Sequence, residues 1–149
     1  MISQKAKYAL RALVVLARAD AEKALFISDI AEEQNIPKKF LEQILRDLKH
    51  QGIVMSRRGK MGGYLLLKQA QDITFGEVLR LIDGPIAPLP CLSKIAYRRC
   101  EDCDSEDKCE IRHVFSEVAN VTRGVLDKTT IADCLAYGDG GKLAAVLDS

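Results

Sequence analysis

The sequence predicts a mainly α-helical chain with a small β-wing: a winged helix-turn-helix domain followed by a long dimerisation helix. Three observations predict it. Residues 27–67 read as two helices joined by a tight turn and then a two-stranded ribbon with a basic, glycine-rich tip. From Pro37 to Lys68 there are eight Lys and Arg against two acids, whereas residues 1–36 balance at five against five. Ile111, Val114, Val118, Val121 and Val125 recur at steps of three and four, the seam of a paired helix.

Each element has a local reason. Ser3 to about Ala19 forms an amphipathic helix with Ala6, Leu10, Leu13, Val14 and Ala17 on its buried stripe. Asp20 to Lys23 is a polar connection. Ser28 is expected to cap the first helix of the motif, and Ile30 and Ala31 to face its core. Asn35 ends that helix because asparagine tolerates the left-handed conformation. Pro37 opens the next helix and pushes Ile36 out of helical geometry. Leu41, Ile44, Leu45 and Leu48 then fall on one face, which leaves Lys38, Lys39, Glu42, Gln43 and Arg46 on the others.

Gly52 stops this helix. Residues 53–55 and 64–67 suit strands. Between them lies Arg57-Arg58-Gly59-Lys60-Met61-Gly62-Gly63, where three glycines allow close backbone approach and three cations suit a phosphate chain. The whole chain is only +1, so its basicity is concentrated here, as in a nucleic-acid footprint. Thr74 caps a further helix, with Glu77 completing a capping box. Gly84-Pro85 ends it, and the run 84–90, holding three of the four prolines, is extended. A cysteine-rich stretch follows, with four cysteines in nineteen residues and an acidic end. The long helix spans about 110–128, and Phe115 and Leu126 widen its seam. Thr130 with Asp133 starts a short last helix holding Cys134, expected to be a buried small apolar residue.

Domain boundaries follow from these changes of character: 1–83 as the winged helix-turn-helix, 84–110 as a cysteine-rich loop, 111–136 as the dimerisation helix with the short last helix, and 137–149 as a flexible tail. At 149 residues and 48% hydrophobic the chain makes about one domain with a substantial core. No apolar run is long enough to span a membrane, and the start lacks the shape of a signal peptide, so a cytoplasmic location is expected. There, five cysteines argue for metal, cluster or redox chemistry over structural disulfides. A cysteine-dependent enzyme using Cys109 and His113 is disfavoured, because no oxyanion motif or orienting third residue accompanies them.

The phrase from Ser28 to Leu67, the GEVLRLIDGP segment and the cysteine loop before a long helix resemble the Rrf-two family of bacterial transcription regulators. FLEQIL paired with the RG-x-x-GGY wing is specific to that pattern. The resemblance implies a homodimer on a pseudo-palindromic double-stranded DNA operator; repression is expected over activation, because occlusion needs no polymerase contact. The helix beginning near Pro37 would enter the major groove and the wing the adjacent minor groove. Lys39 and Glu42 would then approach base edges, Arg58 would insert at the wing, and Tyr64 would brace it. Lys38, Arg57 and Lys60 would hold phosphates. Ser28, Gln43, Arg46, Gly62 and Gly63 complete the candidate DNA contacts.

The resemblance further implies an iron–sulfur cluster, 2Fe-2S or 4Fe-4S, that senses redox, iron or nitric oxide state. By position its ligands would be Cys91, Cys103 and Cys109, with Cys100 in place of Cys103 or, like His113, as a further donor. The family's histidine ligand falls at Arg112 in this chain, and the acidic ligand of another branch falls at Lys7. A cluster-free thiol switch and a zinc site on Cys100, Cys103, Cys109 and His113 remain as alternatives.

Overall fold

The computed structural model describes residues 2–138; of the predicted tail 137–149, Tyr137 is the last residue of the final helix and Gly138 its cap, and the part from 139 onward lies outside the described residues. The chain runs α1 (Gln4–Arg18), α2 (Ile27–Gln34), α3 (Lys38–His50), β1 (Val54–Arg57), β2 (Gly63–Leu66), α4 (Phe75–Asp83), α5 (Glu110–Leu126) and α6 (Ile131–Tyr137), with short 3-10 turns at Ala70–Asp72 and Pro90–Leu92. The predicted fold class is the observed one.

The core lies between α1, α2, α3, the ribbon and α4. Leu13, Ile30, Leu41, Ile44, Leu45, Leu48, Ile53, Ile73 and Ile131 are fully buried in it. Tyr8 of α1 meets Phe40 of α3 edge-to-face at 5.6 Å between ring centroids. Helix α1 buries more than one stripe: Ala9, Ala12, Val15 and Leu16 are buried, while Val14 and Ala17 are only partly so. The cause is tertiary. Helix α1 is flanked by α3 and α4 and also by α6, which returns from the far end of the chain, and Ile131 N donates to Ile73 O at 2.9 Å.

Two helix ends are as expected, three differ, and the cap of α1 was not foreseen. Ser3 caps α1 by accepting from Ala6 N, and Asn35 sits at φ 51°, ψ 50°, left-handed, closing α2. Thr130 and Asp133 form a complete capping box on α6. Ser28, however, is not a cap: α2 begins at Ile27 behind Phe26, which makes no side-chain cap bond, and Ser28 is an exposed residue of the first turn. Pro37 occupies the N-cap of α3 with ψ 125° rather than a first helical position. Thr74 accepts from Glu77 N, but the Glu77 carboxylate turns to the Lys68 ammonium at 2.8 Å, so the box is only half formed. Cys134 is half-buried rather than buried.

The ribbon is antiparallel, pairing Val54 with Leu66 through Arg57 with Gly63. Its root is held by a contact the sequence did not announce. Leu25 and Tyr64 exchange both backbone hydrogen bonds, at 2.8 and 2.7 Å, so the segment before α2 forms a short third rung. Gly63, at φ +126°, lies so close to Leu25 that a Cβ there would collide with the Leu25 carbonyl. This is where glycine is required, and it sets the angle of the wing to α2 and α3.

Candidate nucleic-acid interface and cysteine loop

Helix α3 turns Leu41, Ile44, Leu45 and Leu48 into the core, and that fixes which residues face outward. Lys38, Lys39, Gln43 and Arg46 are exposed and Glu42 is half-exposed. Gln43 Nε2 donates to Asp47 at 2.9 Å and Arg46 Nη1 donates to Gln43 Oε1 at 3.4 Å, so the side chains of this face are partly pre-arranged. Asp47 in turn accepts from Lys5 at 2.8 Å, which holds its carboxyl below the usual carboxylate range and ties α3 to α1. Lys38 and Lys39 stand at the N-terminal end of α3, where the helix dipole adds to their positive charge.

The wing follows α3 and is tied to it and to the turn after α1. Arg58 and Lys60 are exposed at its tip, and no hydrogen bond ties either of them among the described residues. Arg57 is engaged: its Nη1 donates to the Glu22 carbonyl at 2.6 Å, pinning the ribbon to the turn after α1. Gly62 N donates to Gly59 O at 2.9 Å, and a Cβ on Gly62 would come within 2.7 Å of the Arg57 and Gly59 carbonyls. The tip is therefore a closed turn. Tyr64 is partly buried against the core beneath the wing. Lys49 Nζ donates to Ser56 Oγ at 2.7 Å, a second tie between helix and ribbon.

Beyond α4 the chain forms the cysteine loop. Cys91 is buried, Cys103 and Cys109 are half-buried, and Cys100 and His113 are exposed. The loop closes on itself: Arg98 N donates to Pro90 O at 3.1 Å, Ala96 N to Ser93 Oγ at 2.9 Å, and Cys103 N to Cys100 O at 3.3 Å. The Cys100 thiol is held above the ordinary cysteine value by desolvation, then by the charges of Cys91, Asp102 and Cys103. Cys91, Cys100 and Cys103 are thus neighbours. Cys109 is turned elsewhere, its Sγ accepting from Arg112 N at 3.4 Å as the cap of α5. Among the described residues no three His, Cys, Asp or Glu side chains are gathered as a metal would need. Tyr97 donates to Glu106, which raises the Tyr97 hydroxyl above its usual value, and Arg112 stands 3.9 Å from the same carboxylate with its Nε buried and unpartnered.

Helix α5 leaves one face bare. Ile111, Val114, Phe115, Val118, Val121 and Val125 are all exposed, while Ala119, on the flank beside Phe115, is buried and Leu126 packs on the core. Two residues absent from the sequence-level candidates join this helix to its surroundings. Arg123 donates through Nε to Ile86 O at 3.3 Å and through Nη2 to Leu92 O, next to Cys91. Asp127, one turn on, accepts both Nη groups of Arg80 on α4 at 2.6 and 2.9 Å, which lowers its carboxyl and raises the guanidinium.

Residues 2–137 match the model of a family described as Rrf2, iron-dependent transcriptional regulator. This chain belongs to the Rrf2 family. It is 51% identical, over 93% of its length and 95% of the other chain, to a Rhodobacter capsulatus protein named as an rrf2-like HTH-type transcriptional regulator. It is 31% identical to the HTH-type transcriptional regulator IscR of Serratia proteamaculans, over 93% of this chain and 80% of that one. The solved structure of CymR, the global cysteine regulator of Bacillus subtilis, superimposes with a TM-score of 0.77 at 31% identity, covering 92% of this chain and 97% of that one. The Rrf2 relatives are DNA-binding transcription regulators and not enzymes, and that is the class to which this chain is assigned. No helix among the described residues is long and apolar enough to cross a membrane.

Proposed function

We propose that this Rrf2 protein is a homodimeric repressor that reads a pseudo-palindromic operator, and that the state of the cysteine loop sets its grip on DNA. One observation carries the reading: a single chain presents a basic helix-and-wing face and, on α5, a bare apolar seam. Two copies joined along α5 would present two reading heads at fixed separation, and half-sites about one helical turn apart suit such a pair. Lys39 and Glu42 would approach base edges, with Lys38 and Lys60 on phosphates and Gln43 and Arg46 bracing the same face. Arg58 would enter the minor groove. Arg57 would serve chiefly to hold the wing upright, since it is bonded to Glu22. Ser28, exposed at the start of α2, would face the backbone of the duplex, and Gly62, Gly63 and Tyr64 would shape and support the tip. Repression would follow from occluding the promoter.

For the loop, the donor chemistry fits an iron–sulfur cluster: soft thiolates are its usual ligands, and four lie within one short segment. Cys91, Cys103 and Cys109 would hold it, with Cys100 or His113 as a further donor. When bound, such a group supplies sensitivity to oxidants, iron supply or nitric oxide. The protein's own part is mechanical. The backbone beside Cys91 is bonded to Arg123, so rearrangement of the loop acts on α5, and through Asp127 and Arg80 on α4. A second reading, a cluster-free thiol switch, is favoured by the closeness of Cys91 to Cys100, whose thiol is held up in part by the Cys91 charge. Oxidation by a peroxide would join them as a disulfide, slowly near neutral pH because the Cys100 thiol resists ionisation.

The test is anaerobic purification with an absorption spectrum and iron and sulfide assays, followed by gel shifts across a salt series. A coloured, iron-bearing protein whose DNA affinity falls steeply with salt is expected. Protein that stays colourless and iron-free after reconstitution, yet responds to peroxide, would select the thiol switch.

A further inference from the structure

The wing carries one residue whose chemistry is opposite to its surroundings. Met61 is 82% exposed, the most exposed large apolar side chain among the described residues. It stands at the apex of the ribbon, within four positions of Arg57, Arg58 and Lys60. Isolated exposed apolar residues are common and ordinarily carry no meaning. This one differs in how it is held. Gly59 sits at φ +95°, Gly62 N closes the turn onto Gly59 O at 2.9 Å, and Gly62 itself is buried under the Arg57 and Gly59 carbonyls. The root is fixed by the Leu25–Tyr64 rung and by Arg57 on Glu22. A rigid, cationic support therefore presents a single unbranched apolar side chain outward.

We propose that Met61 is an apolar wedge: on operator DNA it enters the minor groove between two base pairs and partly unstacks them, kinking the duplex. The inference rests on the DNA-binding reading of the wing. Lys60 brings the tip against the phosphates that line the groove, Arg58 enters beside it, and Met61, between Lys60 and Gly62 at the apex, is the apolar group carried in with them. Apolar side chains inserted at the minor groove kink DNA toward the major groove, and methionine is among those that do so. Its flexible, polarizable thioether adapts to the faces of separated bases. The wedge selects sequence without hydrogen bonds, because pyrimidine–purine steps open most readily. Each half-site is accordingly expected to carry TA or CA/TG where the wing lands, a preference that no polar contact would impose.

The experiment begins with duplexes selected by the wild-type protein from a random-sequence pool. Wild type, Met61→Ala and Met61→Leu are compared on the selected duplex by salt-series gel shift and by circular-permutation gels, which read bending. A 2-aminopurine placed at the wing step reports unstacking. Wild type is expected to bend the duplex and brighten the probe. Met61→Ala is expected to bind about tenfold more weakly, with an unchanged salt slope, and to lose both bend and brightening. Met61→Leu is expected to restore all three. Because Met61 lies outside the core, the three proteins should melt alike. A Met61→Ala protein that keeps its affinity and bend overturns the proposal, as does a loss of bend accompanied by a shallower salt slope, which would mean that the tip had left the phosphates. Wild-type protein that selects no duplex overturns the DNA reading itself, and the wedge with it.

Discussion

Replacing Val121 by aspartate isolates the proposed dimer from the fold. Val121 lies midway along the α5 seam and is 69% exposed, so the isolated subunit has almost nothing to lose there. Six seam side chains, each exposed by 40–69%, would each gain about 1 kcal/mol on burial, or about 12 kcal/mol over two chains. Association costs of order 4–15 kcal/mol oppose this, so the seam needs every residue. Val121→Asp removes about 1 kcal/mol per chain and places a carboxylate near its symmetry mate in an apolar interface, adding several more. A dimer dissociation constant weakened at least a hundredfold is expected. Sedimentation velocity across a concentration series reads this directly. Circular dichroism should show an intact monomer, and gel shifts should show loss of tight binding to a paired site while half-site binding persists. If Val121→Asp stays dimeric at low micromolar concentration, the seam is not the interface and the reading of α5 is wrong.

Three other outcomes follow from the same geometry. Gly63→Ala forces a Cβ against the Leu25 carbonyl at φ +126° and breaks the Leu25–Tyr64 rung; a loss of about 3 kcal/mol in urea melts is expected, together with impaired DNA binding. Arg123→Gln removes the anchorage of Ile86 and Leu92; DNA affinity should become insensitive to thiol alkylation while the number of reactive thiols under denaturing conditions stays the same. For Asp127, the folded pKa is depressed by Arg80, so its contribution is complete above the unfolded value near 3.8 and is lost as pH falls through the folded value. Both groups are partly exposed, so Asp127→Asn should cost only about 0.5–1 kcal/mol at neutral pH, and the difference from wild type should vanish in melts at the acid end of that window.

Sequence reasoning reached the helices because their boundaries are written in local chemistry. Asn35 adopts a left-handed turn almost whatever surrounds it, and the Thr130–Asp133 box is complete within four residues. The apolar face of α3 was legible for the same reason: one side of an isolated helix already reveals its period. What remained hidden depends on distant partners. Ser28 fails as a cap because α2 starts a residue earlier, where Leu25 is drawn into the ribbon by Tyr64, nearly forty positions away. Arg57 reads as a free cation in sequence and is bonded to Glu22 in space. Glu77 completes a capping box on paper, but Lys68 competes for its carboxylate. In the cysteine loop, spacing alone treats Cys109 as equivalent to Cys91 and Cys103, whereas the fold makes it the cap of α5.

That last difference bears on how a signal could travel. Cys91 is buried beside the backbone that Arg123 holds, and Cys109 is the first link of α5 itself, so the loop touches the helix at two places about four turns apart. A change confined to the loop's exposed apex, around Cys100, could be absorbed by its own turns without moving α5. A change that pulls Cys91 and Cys109 together could not, because one end bears on Arg123 and the other on the helix start. Under the proposed mechanism, then, modification of Cys100 alone should be nearly silent in DNA affinity, and any effective signal must engage Cys91 or Cys109. Single replacement of each cysteine by serine, together with the Cys91→Ser/Cys109→Ser double variant, followed by gel shift with and without the signal, separates the two. A response that depends on Cys100 and survives loss of both Cys91 and Cys109 would refute transmission through α5.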